Sequence, residues 1–432
     1  MTPDTDTVAP PERSAARTRG SRRRRLRQLA ILTHRWLSLL LGLVLLVITT
    51  TGAILVYDPE LRRWLDAEAY DATPGAARIG FQDAVDTVEA RLGEDEFVAA
   101  DVILEHGVYR VTDYTTSYTV DPVTGDYLGQ VGEAPAWLGL AENLHLCLLT
   151  CEELPGYLAV LATEVPGTAW LGLDDTRVSL GSLILGVFAL LLLYLCLTGL
   201  WLWMPRPRRW REGFRIRWTR GRFARDTDLH KVAGVIVLVP LLVWGITGAG
   251  FEFEPMERAW YAATPGRPLP EPALVVGEGD NAERLSPDEA MAAALRAHPA
   301  ATPVSVSLPP TDGPPVAYSV WVSEGVDPYA HGEWPGDVGV SVDPFTGEAL
   351  TTYGRAGEPM AQTIWESWNY TTHAGIVVNG WWRLLWLLVA LGPILLAVTG
   401  VSTWLVRRRT RRNRRLLQRQ DPARAGTSQQ AP

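Results

Sequence analysis

Residues 34–57 read HRWLSLLLGLVLLVITTTGAILVY, a histidine and an arginine followed by an apolar run with no further charge. About 20 apolar residues in a helix rising ~1.5 Å each cover a hydrocarbon core of ~30 Å, so this run is long enough to cross a membrane. Residues 230–253, HKVAGVIVLVPLLVWGITGAGFEF, repeat the arrangement: His-Lys replaces His-Arg, and Thr247-Gly248-Ala249 follows at the spacing of Thr51-Gly52-Ala53. Two further apolar runs, 179–203 and 384–406, carry Thr198-Gly199 and Thr399-Gly400 near their ends. The four runs predict a polytopic α-helical membrane protein with four transmembrane helices from an internal duplication. Small residues of this kind let membrane helices approach closely. Pro240 lies inside the third run, where a membrane helix tolerates it better than a soluble one. A basic stretch, 21–27, precedes the first run as in a signal peptide, but the run is too long for an h-region and reads as a retained anchor.

The chain has 432 residues, 47% of them hydrophobic, and a net charge of −8 that hides a strong segregation. Arginine does the sorting, since Lys231 is the only lysine. Arginines crowd 22–27, 206–225 and 407–409, whereas the long segments between the first and second and between the third and fourth runs are acidic. By the positive-inside rule the basic segments are cytoplasmic and the acidic ones outside. The expected order is a cytoplasmic basic tail (1–28), a span (29–57), an extracytoplasmic domain (58–177), a span (178–204), a cytoplasmic basic loop (205–228), a span (229–253), a second extracytoplasmic domain (254–381), a span (382–406) and a cytoplasmic tail (407–432). The location is then the cell membrane, with both termini cytoplasmic. Each basic segment abuts a span, so anionic membrane lipid explains it better than nucleic acid, which is not expected as a partner.

The acidic segments match each other. Val120-Asp121-Pro122-Val123-Thr124-Gly125 recurs as Val342-Asp343-Pro344-Phe345-Thr346-Gly347, a turn signal between strands. Residues 81–92 have helical spacing, and 97–104, 108–113 and 117–120 are rich in β-formers. Ser286-Pro287-Asp288-Glu289 is a capping box that opens a helix reaching Ala297. A helix followed by an antiparallel meander fits both segments; 265–272 and 308–315 are proline-rich connectors. Of the three cysteines, Cys147 and Cys151 are four apart, compatible either with a disulfide or with two free thiols. No Cys-x-x-Cys-His occurs, so covalent haem attachment is not indicated.

The order of these features resembles the PepSY-associated transmembrane family of bacterial iron-regulated membrane proteins, over roughly residues 29–409. The residues that carry it are His34-Arg35-Trp36-Leu37 leading to Thr51-Gly52, the two Val-Asp-Pro-x-Thr-Gly turns, Asn143-Leu144-His145, Asp228-Leu229-His230-Lys231, and His373-Ala374-Gly375 leading to Thr399-Gly400. The resemblance implies two extracytoplasmic α+β PepSY-like domains. Members of the family include reductases of ferric siderophores that hold b-type haem on membrane histidines.

Four of the seven histidines, His34, His145, His230 and His373, fall at or just before the four apolar runs. A neutral imidazole offers one nitrogen to iron, so two imidazoles on facing helices hold a haem without a covalent link. His34 and His230 precede odd-numbered spans, and His145 and His373 even-numbered ones. His34 and Thr51 alone are separated by ~26 Å along a helix, so pairing within one half is excluded by distance. The expected haem ligands are therefore His34 with His230 at the cytoplasmic face and His145 with His373 at the outer face, two haems b in all. Arg35 and Lys231 either snorkel to the interface or pair with haem propionates. His106, His298 and His331 read as solvated surface residues.

No Gly-x-Gly-x-x-Gly or Walker A sequence occurs, so no flavin, nicotinamide or ATP site is expected. Electrons would come from a cytoplasmic flavoprotein or from quinol, with 206–225 as a docking surface for an acidic donor. The expected function is transmembrane electron transfer, of the ferric-chelate reductase type, to an external ferric siderophore or other chelate for iron uptake. The alternative is a non-enzymatic, membrane-anchored PepSY binding or regulatory protein. A transporter fits less well, because the spans lack buried charges that mark a coupling path.

Overall fold

The computed structural model describes residues 12–93, 97–113, 115–172, 176–204, 207–269, 272–277, 283–310, 315–324, 336–376 and 380–420. His331 and Arg206 lie outside the described residues. The first half runs through α1 (Glu12–Leu55), α2 (Asp58–Leu65), α3 (Phe81–Leu92), β1 (Asp101–Glu105), β2 (Val108–Thr112), β3 (Ser117–Val120), β4 (Tyr127–Gln130), α4 (Ala136–Glu142), a short α5 (Ala159–Ala162) and α6 (Leu180–Trp203). The second runs through α7 (Arg222–Ile236), α8 (Leu238–Glu252), α9 (Glu254–Ala263), α10 (Pro287–Ala297), β5 (Thr302–Ser307), β6 (Tyr318–Ser323), β7 (Val338–Val342), β8 (Ala349–Tyr353), α11 (Met360–Gln362), α12 (Asn369–Ala374), α13 (Gly380–Ala390) and α14 (Gly392–Gln420). The chain forms two compact units, one of 1–50, 184–249 and 389–432, the other of 51–183 and 250–388.

In the first unit the apolar runs are helical, but two of them are bent. α6 and the stretch Gly380–Leu417 are each long and apolar enough to cross a membrane; α1, and α7 with α8, qualify when each bent pair counts as one span. α1 turns by 61° between Leu40 and Gly42, and α7–α8 by 60° between Ile236 and Leu238. Pro240 accounts for the second bend, because its ring clashes with the carbonyl four residues back, that of Ile236, and it brings no N–H. The expected spans 29–57 and 229–253 thus each contain a sharp bend. α7 and α14 are tied by a polar knot at Asp226, which accepts from Ser402 Oγ and pairs with Arg225 at 3.0 Å.

The second unit is built on one sheet of eight strands in the order β4-β3-β2-β1-β5-β6-β7-β8, antiparallel throughout. Helix followed by meander holds in both halves. The two meanders do not stand as separate domains, however. β1 pairs with β5 through Val102↔Val306, and α3 and α10 share one core with the sheet, in which Val85, Val88, Val102, Val111, Ala290, Val306 and Val320 are fully or almost fully buried. Alternation explains this: side chains of one parity along a strand face the helices, and each buried Val there contributes ~1.5–3 kcal/mol. The capping box forms, Glu289 N–H donating to Ser286 Oγ at 3.3 Å. Asp288 also accepts the backbone N–H groups of Phe81 and Gln82 at 2.8 and 3.0 Å, so a carboxylate of α10 caps α3, where the helix dipole favours a negative charge. A side chain at Gly80 would collide with that carboxylate.

Each Asp-Pro-x-Thr-Gly occupies the turn between the third and fourth strand of its meander. Asp121 accepts from the N–H groups of Val123 and Thr124 (2.7 and 3.2 Å) and of Thr73 (2.7 Å); Asp343 does the same with Phe345, Thr346 and Gly277. Gly125 and Gly347 close the turns at φ +79° and +69°, which favours glycine. Burial alone would raise the Asp121 carboxyl, but these N–H donors hold it at about 2. Its folded-state value is depressed, so its stabilising effect is present above the ordinary carboxylate range and is lost as pH falls through about 2. Asp121→Ala should cost about 1.5–3 kcal/mol, the worth of hydrogen bonds to a charged acceptor, read as a lowered thermal midpoint at pH 7.

Candidate functional site

The four histidines fall into two pairs, each inside one compact unit. His34 of α1 and His230 of α7 are electrostatic neighbours in the first unit. His145 and His373 lie in the second, with ring centres 6.0 Å apart and planes inclined by 52°. No pair forms within one half of the sequence. Among the described residues no group of three or more His, Cys, Asp or Glu is placed to hold a bare metal ion.

The tautomer of the first pair follows from its partners. His34 Nδ1 is 2.9 Å from Thr198 Oγ1, and that hydroxyl donates its own hydrogen to the carbonyl of Tyr194 at 2.7 Å. Thr198 therefore accepts, and Nδ1 of His34 carries the proton. His230 Nδ1 lies 3.1 Å from the Leu396 carbonyl, which only accepts, and 3.1 Å from Thr399 Oγ1, whose hydrogen goes to Leu395 O. Both imidazoles thus keep a bare Nε2 lone pair. A metal-bound histidine has this arrangement, with the far ring N–H donated to a carbonyl or hydroxyl. The glycine after each threonine gives the ring its room: a methyl at Gly199 would lie 3.3 Å from His34 Cε1, and one at Gly400 3.6 Å from His230 Cε1.

His145 sits in a π-helical turn, Asn143–Cys147, that continues α4. Such turns insert one extra residue per turn and recur at functional sites. Asn143, fully buried, fixes the turn by donating to the carbonyls of Cys151, Leu154 and Pro155 at 3.1–3.2 Å. Leu148 and Leu149 at positive φ then reverse the chain, which brings Cys151 back to Cys147, and the two form a disulfide. The ring of His145 rests on Gly52, where a methyl would overlap Cε1 and lie 3.0 Å from both ring nitrogens.

The second half carries an equivalent π turn, Thr363–Ser367, after α11, and the residue at its centre is Trp365. Trp365 packs on Gly250, two positions beyond Gly248, the sequence counterpart of the Gly52 on which His145 packs. His373 comes later, on α12, so the repeat that relates His145 to His373 in the sequence does not hold in the fold. The two rings meet from non-equivalent positions. Phe251 stands edge-on to His373 at 5.2 Å, the Trp386 indole donates to the His373 carbonyl at 2.9 Å, and Gly375 (φ +77°) lets that indole approach. Burial, then the neighbouring His145, holds His373 at about 3, a neutral imidazole.

A model of the family described as the PepSY-associated TM region matches residues 31–407. The chain belongs to that family. No curated protein matches the chain.

The PepSY-associated TM chain places its remaining candidate residues unequally. Arg35 is half-buried beside Trp36, whereas Lys231 is exposed. His106 and His298 are not simply solvated: His106 is half-buried near Arg63, Glu60 and Arg383, and His298 is held between Glu324 and Thr351 at 2.9 and 2.8 Å. Neither joins a histidine pair. The sequence reading missed Arg383, which is 2% exposed and grips Glu60 and the Val56 carbonyl while stacking on Tyr57. Val56 is one turn beyond Gly52, and Trp386 one turn beyond Arg383. The arginine therefore fastens the helix that seats His145 to the helix that anchors His373. Its position at the edge of an apolar run, where charge is costly, was the available signal.

Proposed function

We propose that the protein carries electrons across the cell membrane through two b-type haems, one held by His34 and His230 and the other by His145 and His373. The observation that carries the reading is the placement of His34 Nδ1 on Thr198 Oγ1 and of His230 Nδ1 on the Leu396 carbonyl, which leaves each Nε2 to bind iron. The outer pair fits as well: two imidazoles sharing one metal, each with a metal–nitrogen bond of about 2 Å, have ring centres about 6 Å apart, and these are 6.0 Å apart. Bound haem would supply one-electron chemistry at its iron. The protein's part is to hold the imidazoles neutral and oriented, Thr198, Thr399 and the Leu396 carbonyl on one side and Gly52, Phe251 and Trp386 on the other.

The arrangement in the membrane follows from charge. With all four apolar runs as spans of a duplicated chain, the arginine-rich segments place both termini and 205–228 in the cytoplasm and the acidic sheet outside. His34 and His230 would hold the haem that takes electrons from a flavoprotein or quinol on the cytoplasmic side, and a ferric siderophore or similar chelate would accept them outside, where reduction weakens the hold on iron. The acidic exterior favours a neutral or cationic chelate. A reporter fused after Arg409 should read cytoplasm, and one fused after Gly125 exterior; the opposite result would reassign every histidine to the other face.

The deciding experiment is a dithionite-reduced minus oxidised spectrum of protein purified from haem-replete cells. Sharp b-type bands are expected, and a featureless trace would leave only a membrane-anchored binding protein. The threonines give a finer test. Thr198 is the hydroxyl on His34 Nδ1, while His230 keeps the Leu396 carbonyl if Thr399 is lost. Thr198→Val should weaken retention of its haem 10–100-fold, the usual scale for such a partner, and Thr399→Val clearly less. Equal effects would contradict the tautomer assignment.

A further inference from the structure

We infer that the first unit holds the phosphate headgroup of an anionic phospholipid in an arginine-lined cleft between α1 and α14, an interaction separate from the haem reading and resting only on the proposed orientation. The cleft, about 780 Å³, is lined by Arg35 and Trp36 on one side and by Trp404, Leu416 and five arginines of α14 on the other. Positions 404, 408, 411 and 415 recur at three and four residues, so a single helix face carries the charge. No carboxylate lines the cleft, and among the described residues none of its six guanidinium groups is ion-paired. Five of the six are exposed and partly screened by solvent, and an anion among them relieves the repulsion that remains. Arg35 points to the same conclusion independently, because its Nε is buried and has no hydrogen-bond partner. A buried charged donor left unpaired is costly, and a phosphate oxygen would satisfy it through the guanidinium fork.

Depth selects the source of the phosphate. Trp36 opens the apolar run of α1 and Trp404 closes that of α14, and indoles at such points mark the headgroup level. Arg35 and Arg407 are the charges next to those runs. A lipid phosphate lies at that level, whereas a soluble acidic protein reaches only the outer arginines. Basic pockets between helices on the cytoplasmic side bind lipid headgroups in the same way. The indoles and the apolar helix surfaces below would receive the acyl chains.

The test uses the full-length protein, delipidated in a neutral detergent. Thermal midpoint and native mass are followed as short-chain phosphatidylglycerol, short-chain phosphatidylcholine, inorganic phosphate or polyglutamate is added. Phosphatidylglycerol should raise the midpoint by several degrees, saturate, and appear as a retained adduct, while the other three should not at equal concentration. Arg408→Gln combined with Arg411→Gln should lower the apparent affinity at least tenfold, with the spectrum and haem content of the preparation unchanged. Arg220→Gln, outside the cleft, should bind as the parent does and controls for the loss of a positive charge elsewhere on the chain. Equal binding of phosphatidylcholine, or of inorganic phosphate, would reduce the cleft to a detergent or simple anion site. Equal binding of polyglutamate would make it a protein-docking surface, and undiminished lipid binding by the double variant would place the lipid elsewhere. If the double variant fails to fold, the parent's four ligand titrations still decide between these outcomes.

Discussion

Replacing His34 by alanine is expected to lower the haem content of the protein from two per chain to one, and replacing His230 should do the same to the same haem. Each imidazole has its Nδ1 engaged by a hydroxyl or carbonyl, which leaves Nε2 for the iron of the proposed haem, and the two rings lie within electrostatic reach. Removing both adds little to removing either, because changes at one site are not additive. His34→Ala with His145→Ala should remove both haems, since those residues belong to different pairs. Pyridine-haemochrome content per protein, with low-temperature spectra to show which band disappears, makes the measurement. Loss of the same band from His34→Ala and His373→Ala, with a different band lost from His230→Ala, would overturn the pairing.

A single methyl should nearly empty the other site. In Gly52→Ala the new carbon would overlap His145 Cε1, and the ring has little freedom to retreat because Asn143 pins the π turn from which it projects. Displacing a ligand by about 1 Å is enough to spoil a preorganised site. Retention of the outer haem should fall at least tenfold while the inner haem stays. The corresponding changes form a graded series: Gly199→Ala, with 3.3 Å to His34, should be milder, and Gly400→Ala, with 3.6 Å to His230, milder still. A series in any other order would mean that these glycines serve helix packing alone.

Much of this was legible in the chain because it depends on local chemistry. The capping box at Ser286 fixed the start of α10, hydrophobic spacing gave 81–92 its helix, and each Asp-Pro-x-Thr-Gly made the expected turn. Spacing also gave reason to look for His145 near His373, and their rings are neighbours. What escaped involved residues that meet only in three dimensions. Nothing in the sequence around Val102 and Val306 says that two meanders share an edge, because edge pairing depends on backbone groups and not on side-chain identity. The two π turns were hidden for the same reason, and with them the exchange of His145 for Trp365 at equivalent points. Arg383 escaped because its partner Glu60 lies far away in sequence.

The joining of β1 to β5 has a consequence for how the protein is made. Asp288, which caps α3, follows Phe81 by 207 positions, so at about 5–20 residues per second a ribosome needs roughly 10–40 s to supply it. Throughout that interval α3 lacks its carboxylate and β1 presents an unpaired edge. Open strands of this kind recruit other strands. The nascent first half therefore passes through a period in which it is exposed to misassembly and to proteases, and synonymous changes that slow translation between β4 and α10 should lower yield without altering the finished protein.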